Sequence, residues 1–266
     1  MKTMKIIGTM LCASILFTSC EKDDDTENAS STKGLIEFKC INPVSSNLKS
    51  VSTQKSISSN PFLEGDTTAT YFIGMKITIG DVWVSQGEVK VGGSDNMEWI
   101  RLTAITNIDP KLFEDYTFPA KEIPVGNYKS VKITFRNIFY RHVQLISDPL
   151  IKYELLETMG SWTTPCDPTD TTWAVTNYFG PDGNHKLDQN GVFELVSQGE
   201  KIGGFNIESD KKTNIAWRLY AGVTTPCTNY LIDENSNLQW DCGVDRLEEE
   251  CPPELEYMWD FVVDYE

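Results

Sequence analysis

The stretch Ile123-Pro124-Val125-Gly126-Asn127-Tyr128-Lys129-Ser130-Val131-Lys132-Ile133-Thr134-Phe135 decides the reading of the fold. Pro124 presets its own φ and Gly126 accepts conformations closed to other residues, so the segment opens on a turn. Val131, Ile133 and Phe135 then alternate with Lys132 and Thr134. That is the period of a strand with one buried and one wet face.

The same period extends upstream. In Ala69 to Val84, Tyr71, Ile73, Met75, Ile77 and Ile79 fall on one face, with Lys76 and Thr78 on the other. Gly34 to Ile41, Val89 to Val91 and Met97 to Leu102 read as shorter strands, and Gln86-Gly87-Glu88 and Gly92 to Asn96 as turns. Downstream, strands are expected at residues 172–176, 192–196, 201–208, 214–220 and 258–264. Pro149 to Met159 is the one stretch that could hold a short helix. Residues 42–68 are rich in Ser, Asn and Lys and read as a long loop. Short strands divided by Gly, Asn and Pro turns predict an all-β chain, an antiparallel β-sandwich of one large or two smaller domains.

The Pro-x-Gly-x-Tyr lead-in to the strand at Val131 resembles a recurrent feature of extracellular β-sandwiches. It is similar to transthyretin-like and related domains of surface lipoproteins and fimbrial proteins, over roughly residues 70–145. The resemblance implies a fold and no activity. One internal echo bears on the domain count. Val84-Ser85-Gln86-Gly87-Glu88 to Gly93 recurs as Val196-Ser197-Gln198-Gly199-Glu200 to Gly204, followed by Trp99 in the first copy and Trp217 in the second. It is read either as two related domains, 34–146 and 147–266, or as convergent hairpin chemistry within one continuing sandwich.

The other end of the chain gives an address. Lys2 and Lys5 precede an apolar run, Ile6 to Phe17, of about a dozen residues, too short for a membrane-spanning helix of about 20. Thr18 and Ser19 then lead into Cys20. This resembles the lipobox of bacterial lipoproteins, which implies removal of residues 1–19 and acylation of Cys20. Glu21-Lys22-Asp23-Asp24-Asp25 resembles the acidic export segment of surface lipoproteins of Bacteroidota, which implies an outer-membrane anchor facing the cell exterior. Residues 20–33 read as a polar tether. The expected attachment to the membrane is through acyl chains, each buried methylene contributing about 0.8 kcal/mol.

The 266-residue chain carries a net charge of −16, falling to −18 once Lys2 and Lys5 leave. Such acidity argues against nucleic acid as a partner and against direct electrostatic binding to anionic head groups. Beside the membrane, the partner expected of a surface protein of this kind is another surface protein or a glycan. Cys40, Cys166, Cys227, Cys242 and Cys251 remain in the mature chain. An exported protein sits where disulfides persist, and an odd count leaves one thiol over. Cys40 alternates with Ile36 and Phe38 and reads as a buried free thiol; Cys166, Cys227, Cys242 and Cys251 are the disulfide candidates, with connectivity open.

Chemistry-bearing motifs are few. Asp182, Asn184 and Asp188 offer hard oxygens in a Gly-bearing turn and are the candidate calcium ligands. Lys186 breaks the ligand series, and Glu194 lies one residue too far to close an EF-hand loop. No Gly-x-Ser-x-Gly elbow, phosphate loop or dinucleotide fingerprint occurs, and no cofactor is implied. Trp83, Trp217 and Trp259 lie in strand patterns and read as core, whereas Trp162 and Trp240 sit in polar surroundings and are the candidate ligand platforms. Glu248-Glu249-Glu250 reads as a solvated acidic face. The expectation is a non-catalytic binding, adhesive or structural protein at the cell surface. Glycan capture and polysaccharide hydrolysis by a carboxylate pair are the alternatives.

Overall fold

Two long strands carry the architecture: β2 (Thr67–Ser85) and β7 (Ser130–Leu145). They belong to a computed structural model that describes residues 32–41, 61–62, 67–103, 115–159, 166–170, 175–219, 227–251 and 259–266. Residues Ser31–Glu266 make one compact unit. Among the described residues there are strands and no helix.

β2 and β7 pair antiparallel along their length. β9 (Val175–Phe179) takes the first half of β7's other edge and β8 (Lys152–Thr158) the second half. On β2, β14 (Thr228–Ile232) and β3 (Ile100–Arg101) divide the far edge in the same way. β10 (Asn184–Leu187), β11 (Phe193–Ser197) and β15 (Arg246–Glu250) complete a nine-stranded sheet. The second sheet has five strands, β16 (Trp259–Tyr265), β13 (Lys212–Leu219), β1 (Lys33–Ile41), β4 (Tyr116–Thr117) and β5 (Lys121–Pro124). Within it β1 and β13 run parallel. A small ribbon of β6 (Gly126–Tyr128) and β12 (Phe205–Ile207) is the third sheet. The chain is an all-β protein built of packed, mainly antiparallel sheets, a β-sandwich.

The main core lies between the two large sheets. Ile36, Phe38, Ile215 and Trp217 of the five-stranded sheet meet Ile77, Ile79, Val84, Ile133 and Phe135 of the other, while Tyr128, Phe205 and Ile207 come from the ribbon. Cys40 is buried there as a free thiol, its pKa pushed up by burial. A second cluster of Phe62, Val143, Tyr153, Leu155 and Leu231 occupies the far end of the nine-stranded sheet. Strands from 34–146 and 147–266 share both large sheets, as the β1–β13, β7–β9 and β2–β14 pairs show. The two copies of the sequence echo sit in different surroundings: Val84 is fully buried at the end of β2, and Val196 is 54% exposed on β11.

Three local expectations are corrected. Pro149 to Met159 holds strand β8, because Tyr153, Leu155 and Glu157 alternate as buried residues against β7. Val89 to Val91 is a loop, held by a hydrogen bond from Val89 N to Ser130 Oγ, and only Ile100–Arg101 of Met97–Leu102 is a strand. The single alternating face proposed for β2 is broken by register shifts at Phe72/Gly74, Ile77/Ile79 and Ile79/Val82. A bulge that inserts one residue reverses which face the following side chains take. Phe72 therefore points inward and Tyr71 does not. Met75, Ile77 and Ile79 share the core, and beyond the last bulge Val82 and Val84 take their place. Trp83, between them, faces outward.

Candidate functional site

The outward position of Trp83 builds a row across three strands. Its cross-strand neighbours are Lys132 on β7 and Arg101 on β3. Neighbouring strands lie about 4.8 Å apart, so the row spans about 10 Å. The Lys132 ammonium lies 4.9 Å from the Trp83 ring centroid, 4.4 Å from that of Trp99 and 5.6 Å from that of Tyr178. Asp95 anchors this end of the row. It accepts from Lys132 Nζ at 3.5 Å, from Tyr178 OH at 3.0 Å and from Trp99 Nε1. Burial lowers the Lys132 pKa against the pull of Asp95. At the other end Arg101 Nε donates to Asp81 Oδ1 at 2.7 Å. The Asp81 backbone amide is in turn fixed by Thr134 Oγ1 at 2.8 Å. The result is an indole flanked by two cations, each held by its own carboxylate. Beyond Arg101 lies a concavity of about 500 Å³ over Leu102, Tyr116 and Phe118, with Lys121 on its lining.

The tryptophans expected to be functional are placed elsewhere. Trp162 lies outside the described residues. Trp240 packs against the second core cluster and its Nε1 donates to Leu156 O at 3.0 Å. Trp217 is core, as expected, and Trp259 packs beside it. Trp83 belongs to none of the apolar clusters of the described residues, which corrects its reading as core. An uneven apolar period around Gly80-Asp81 was the only signal of this in the sequence.

The candidate calcium ligands are directed at three different partners. Asp182 Oδ1 is 3.3 Å from His185 Nε2. Asn184 is buried on β10 and its Nδ2 donates to Glu200 Oε2 at 2.7 Å. Asp188 caps the turn into β11, its Oδ1 accepting from the amides of Asn190 and Val192, both at 2.8 Å. Those backbone donors, that of Val192 foremost, hold the Asp188 carboxyl below its usual range. A second acidic loop, unremarked in the sequence reading, runs from Asp233 to Asp245. Its oxygens are hard ligands of the kind calcium takes, but here they close the loop on itself. Asp233 accepts from the amide of Leu238, Asp245 from those of Glu234 and Asp241, and Asp241 from the side chains of Asn235 and Asn237. Burial raises the Asp245 pKa.

The cysteines pair as Cys166–Cys242 and Cys227–Cys251, with Cα separations of 5.4 and 4.2 Å. The first bridge ties down the loop that carries Trp240. Glu249 lies close to the second, but both sulfurs are committed to the disulfide and offer no thiolate to a metal.

Glu248, Glu249 and Glu250 are all exposed, as expected of an acidic face, with the Glu249 side chain 26% exposed and its Oε1 3.3 Å from Arg141 Nη1. Arg141 reaches Glu157 as well, at 2.6 Å through Nε. Burial opposes the Arg141 charge, and the two carboxylates outweigh it and raise its pKa. Burial, and then repulsion from Glu157, raises the pKa of Glu249 against Arg141. A buried guanidinium thus bridges a buried carboxylate, Glu157, and a partly exposed one, Glu249. His142 is buried on β7, with Nε2 2.6 Å from Glu154. Cys20 and Glu21, Lys22, Asp23, Asp24 and Asp25 lie outside the described residues.

The fold and this face define the chain as an all-β sandwich with a rigid aromatic and charged row on its larger sheet. No protein-family model, curated protein or solved structure matches it.

Proposed function

We propose that the chain is an exported lipoprotein, acylated at Cys20 and displayed on the outer face of the outer membrane, with a non-catalytic binding, adhesive or structural role. The observation that carries the reading is the pair of disulfides, Cys166–Cys242 and Cys227–Cys251. Such bridges persist in oxidising compartments outside the cytosol. The lipobox-like Leu16 to Cys20 and the acidic Glu21 to Asp25 agree with that address. The strongly acidic body keeps such a protein soluble beside its membrane.

Glycan binding is the form of the role with specific support, because Trp83 presents an aromatic ring on a solvent-facing strand position. Cell fractionation tests the anchor: Cys20→Ala should move the protein out of the membrane fraction, and unchanged fractionation would overturn the lipobox. Replacing Asp23, Asp24 and Asp25 by Ala should shield the protein from protease added to whole cells. Continued cleavage would overturn the role of the acidic segment in display.

A further inference from the structure

We infer that the row Lys132–Trp83–Arg101 is the glycan contact, and that it takes a neutral hexose polymer. The inference rests on the surface-binding reading above and names the residues and the ligand class. A strand position facing solvent in a half-wet sheet ordinarily carries a polar side chain. Trp83 is half-buried at such a position. It joins none of the apolar clusters, and among the described residues its indole Nε1 has no hydrogen-bond partner. Lys132 lies over the ring. Trp99 differs: it packs on the Val89, Tyr178 and Phe193 cluster, and its Nε1 is bound to Asp95. Trp83 is therefore the ring left for a ligand.

The flanking groups choose the ligand class. Lys132 and Arg101 bring two positive charges, Asp95 and Asp81 two negative ones, so the row is neutral within a chain of net charge −16. An anionic sugar finds no net positive charge to draw it there, whereas a hydroxyl is donor and acceptor at once and can use either partner of each pair. Arg101, its side chain 38% exposed, keeps donors beyond those given to Asp81, since a guanidinium has five. The ring supplies the flat apolar surface for the C–H face of a pyranose. Asp95, Asp81 and Thr134 hold these groups in place before binding, which limits the entropy lost on association. The row of about 10 Å suits a short stretch of polymer, and an exposed sheet face accepts it side-on.

The test is affinity electrophoresis of the full-length protein in detergent, through gels containing dextran, laminarin or mannan, with polygalacturonate as the anionic comparison. Retardation is expected in at least one neutral gel and to be weaker in polygalacturonate. Trp83→Ala should reduce the retarding affinity about tenfold or more, as truncating a central aromatic contact does. On the wild-type protein, the retarding glycan should protect Trp83 from N-bromosuccinimide oxidation read by peptide mass spectrometry; this readout needs no variant to fold. Retardation in no neutral gel, equal retardation in polygalacturonate, undiminished binding by Trp83→Ala, or an unprotected Trp83 would each overturn the inference. The anchor is tested separately by fractionation, so failure here leaves it standing, and failure there leaves the glycan result intact.

Discussion

The phenol of Tyr128 donates a hydrogen bond to the carbonyl of Pro124, four residues upstream, at 2.9 Å. Tyr128 is fully buried and stacks on Phe205 with ring centroids 5.6 Å apart. Gly126 between them has φ +152°, and a Cβ there would come within 2.5 Å of Gln86 Nε2. The Pro-x-Gly-x-Tyr pattern is thus one device. Proline and glycine shape the turn, and the tyrosine locks it to the core. Tyr128→Phe should cost about 1 kcal/mol, the net worth of one hydrogen bond whose partner loses its donor. Urea denaturation reads the loss, and an unchanged midpoint would show that the bond does not hold the turn.

Burial separates two tryptophans that look alike in sequence. Trp217 is 1% exposed between the sheets and packs against Phe135 and Trp259. Trp217→Ala should cost about 3–5 kcal/mol. Trp83→Ala should cost about 1 kcal/mol or less, since it gives up a surface cation–π contact. Similar losses for both in thermal unfolding would contradict the outward placement of Trp83.

The disulfides close chain segments of different length, with sequence separations of 76 for Cys166–Cys242 and 24 for Cys227–Cys251. In the chain-entropy account they contribute about 4.5 and about 3.5 kcal/mol respectively. Cys166→Ser with Cys242→Ser should also loosen the loop that carries Trp240. Hydrogen exchange of the β8 amides, next to the Trp240–Leu156 contact, should then quicken more than that of β1. Equal effects on both strands would argue against a local clamp.

Glu200 is buried, and burial raises its carboxyl above the ordinary 4.5 against the donors Asn184 and Ser197. A raised carboxyl pKa favours the protonated folded state. Its contribution is fully present below about 4.5 and is lost as pH rises through the folded value. Glu200→Gln keeps an acceptor for Asn184 and Ser197 without the charge. Its stability relative to wild type should rise between pH 4.5 and 7 in paired denaturation curves. A constant difference across that window would show that Glu200 ionises in the fold as freely as in the unfolded chain.

The strand class of the body was legible from the alternation at Val131, Ile133 and Phe135, and Trp217, Cys40 and the set of bridging cysteines were legible from theirs. The route of β2 was not. Its apolar residues resume beyond Gly74 and beyond Gly80-Asp81, so only a change of phase marks the points where a single extra residue turns the strand over. Strand β8 was obscured because Tyr153, Leu155 and Glu157 place a charged residue in the buried series; only Arg141, sixteen residues earlier on β7, makes that position tolerable. The contact of Glu249 with Arg141 was hidden likewise, because its neighbours Glu248 and Glu250 are as exposed as it is.

The sequence by itself determined that the chain is built of strands, that its turn at Pro124–Tyr128 opens the central one, and that its cysteines can form at most two bridges. These follow from local alternation, backbone preference and counting. The tertiary structure decided which cysteines pair, which glutamate of the acidic run meets Arg141, and that Trp83 stands outside between Lys132 and Arg101. Each of these depends on residues distant in the chain, or on a bulge that shifts every later side chain to the opposite face, and neither is carried by the local pattern.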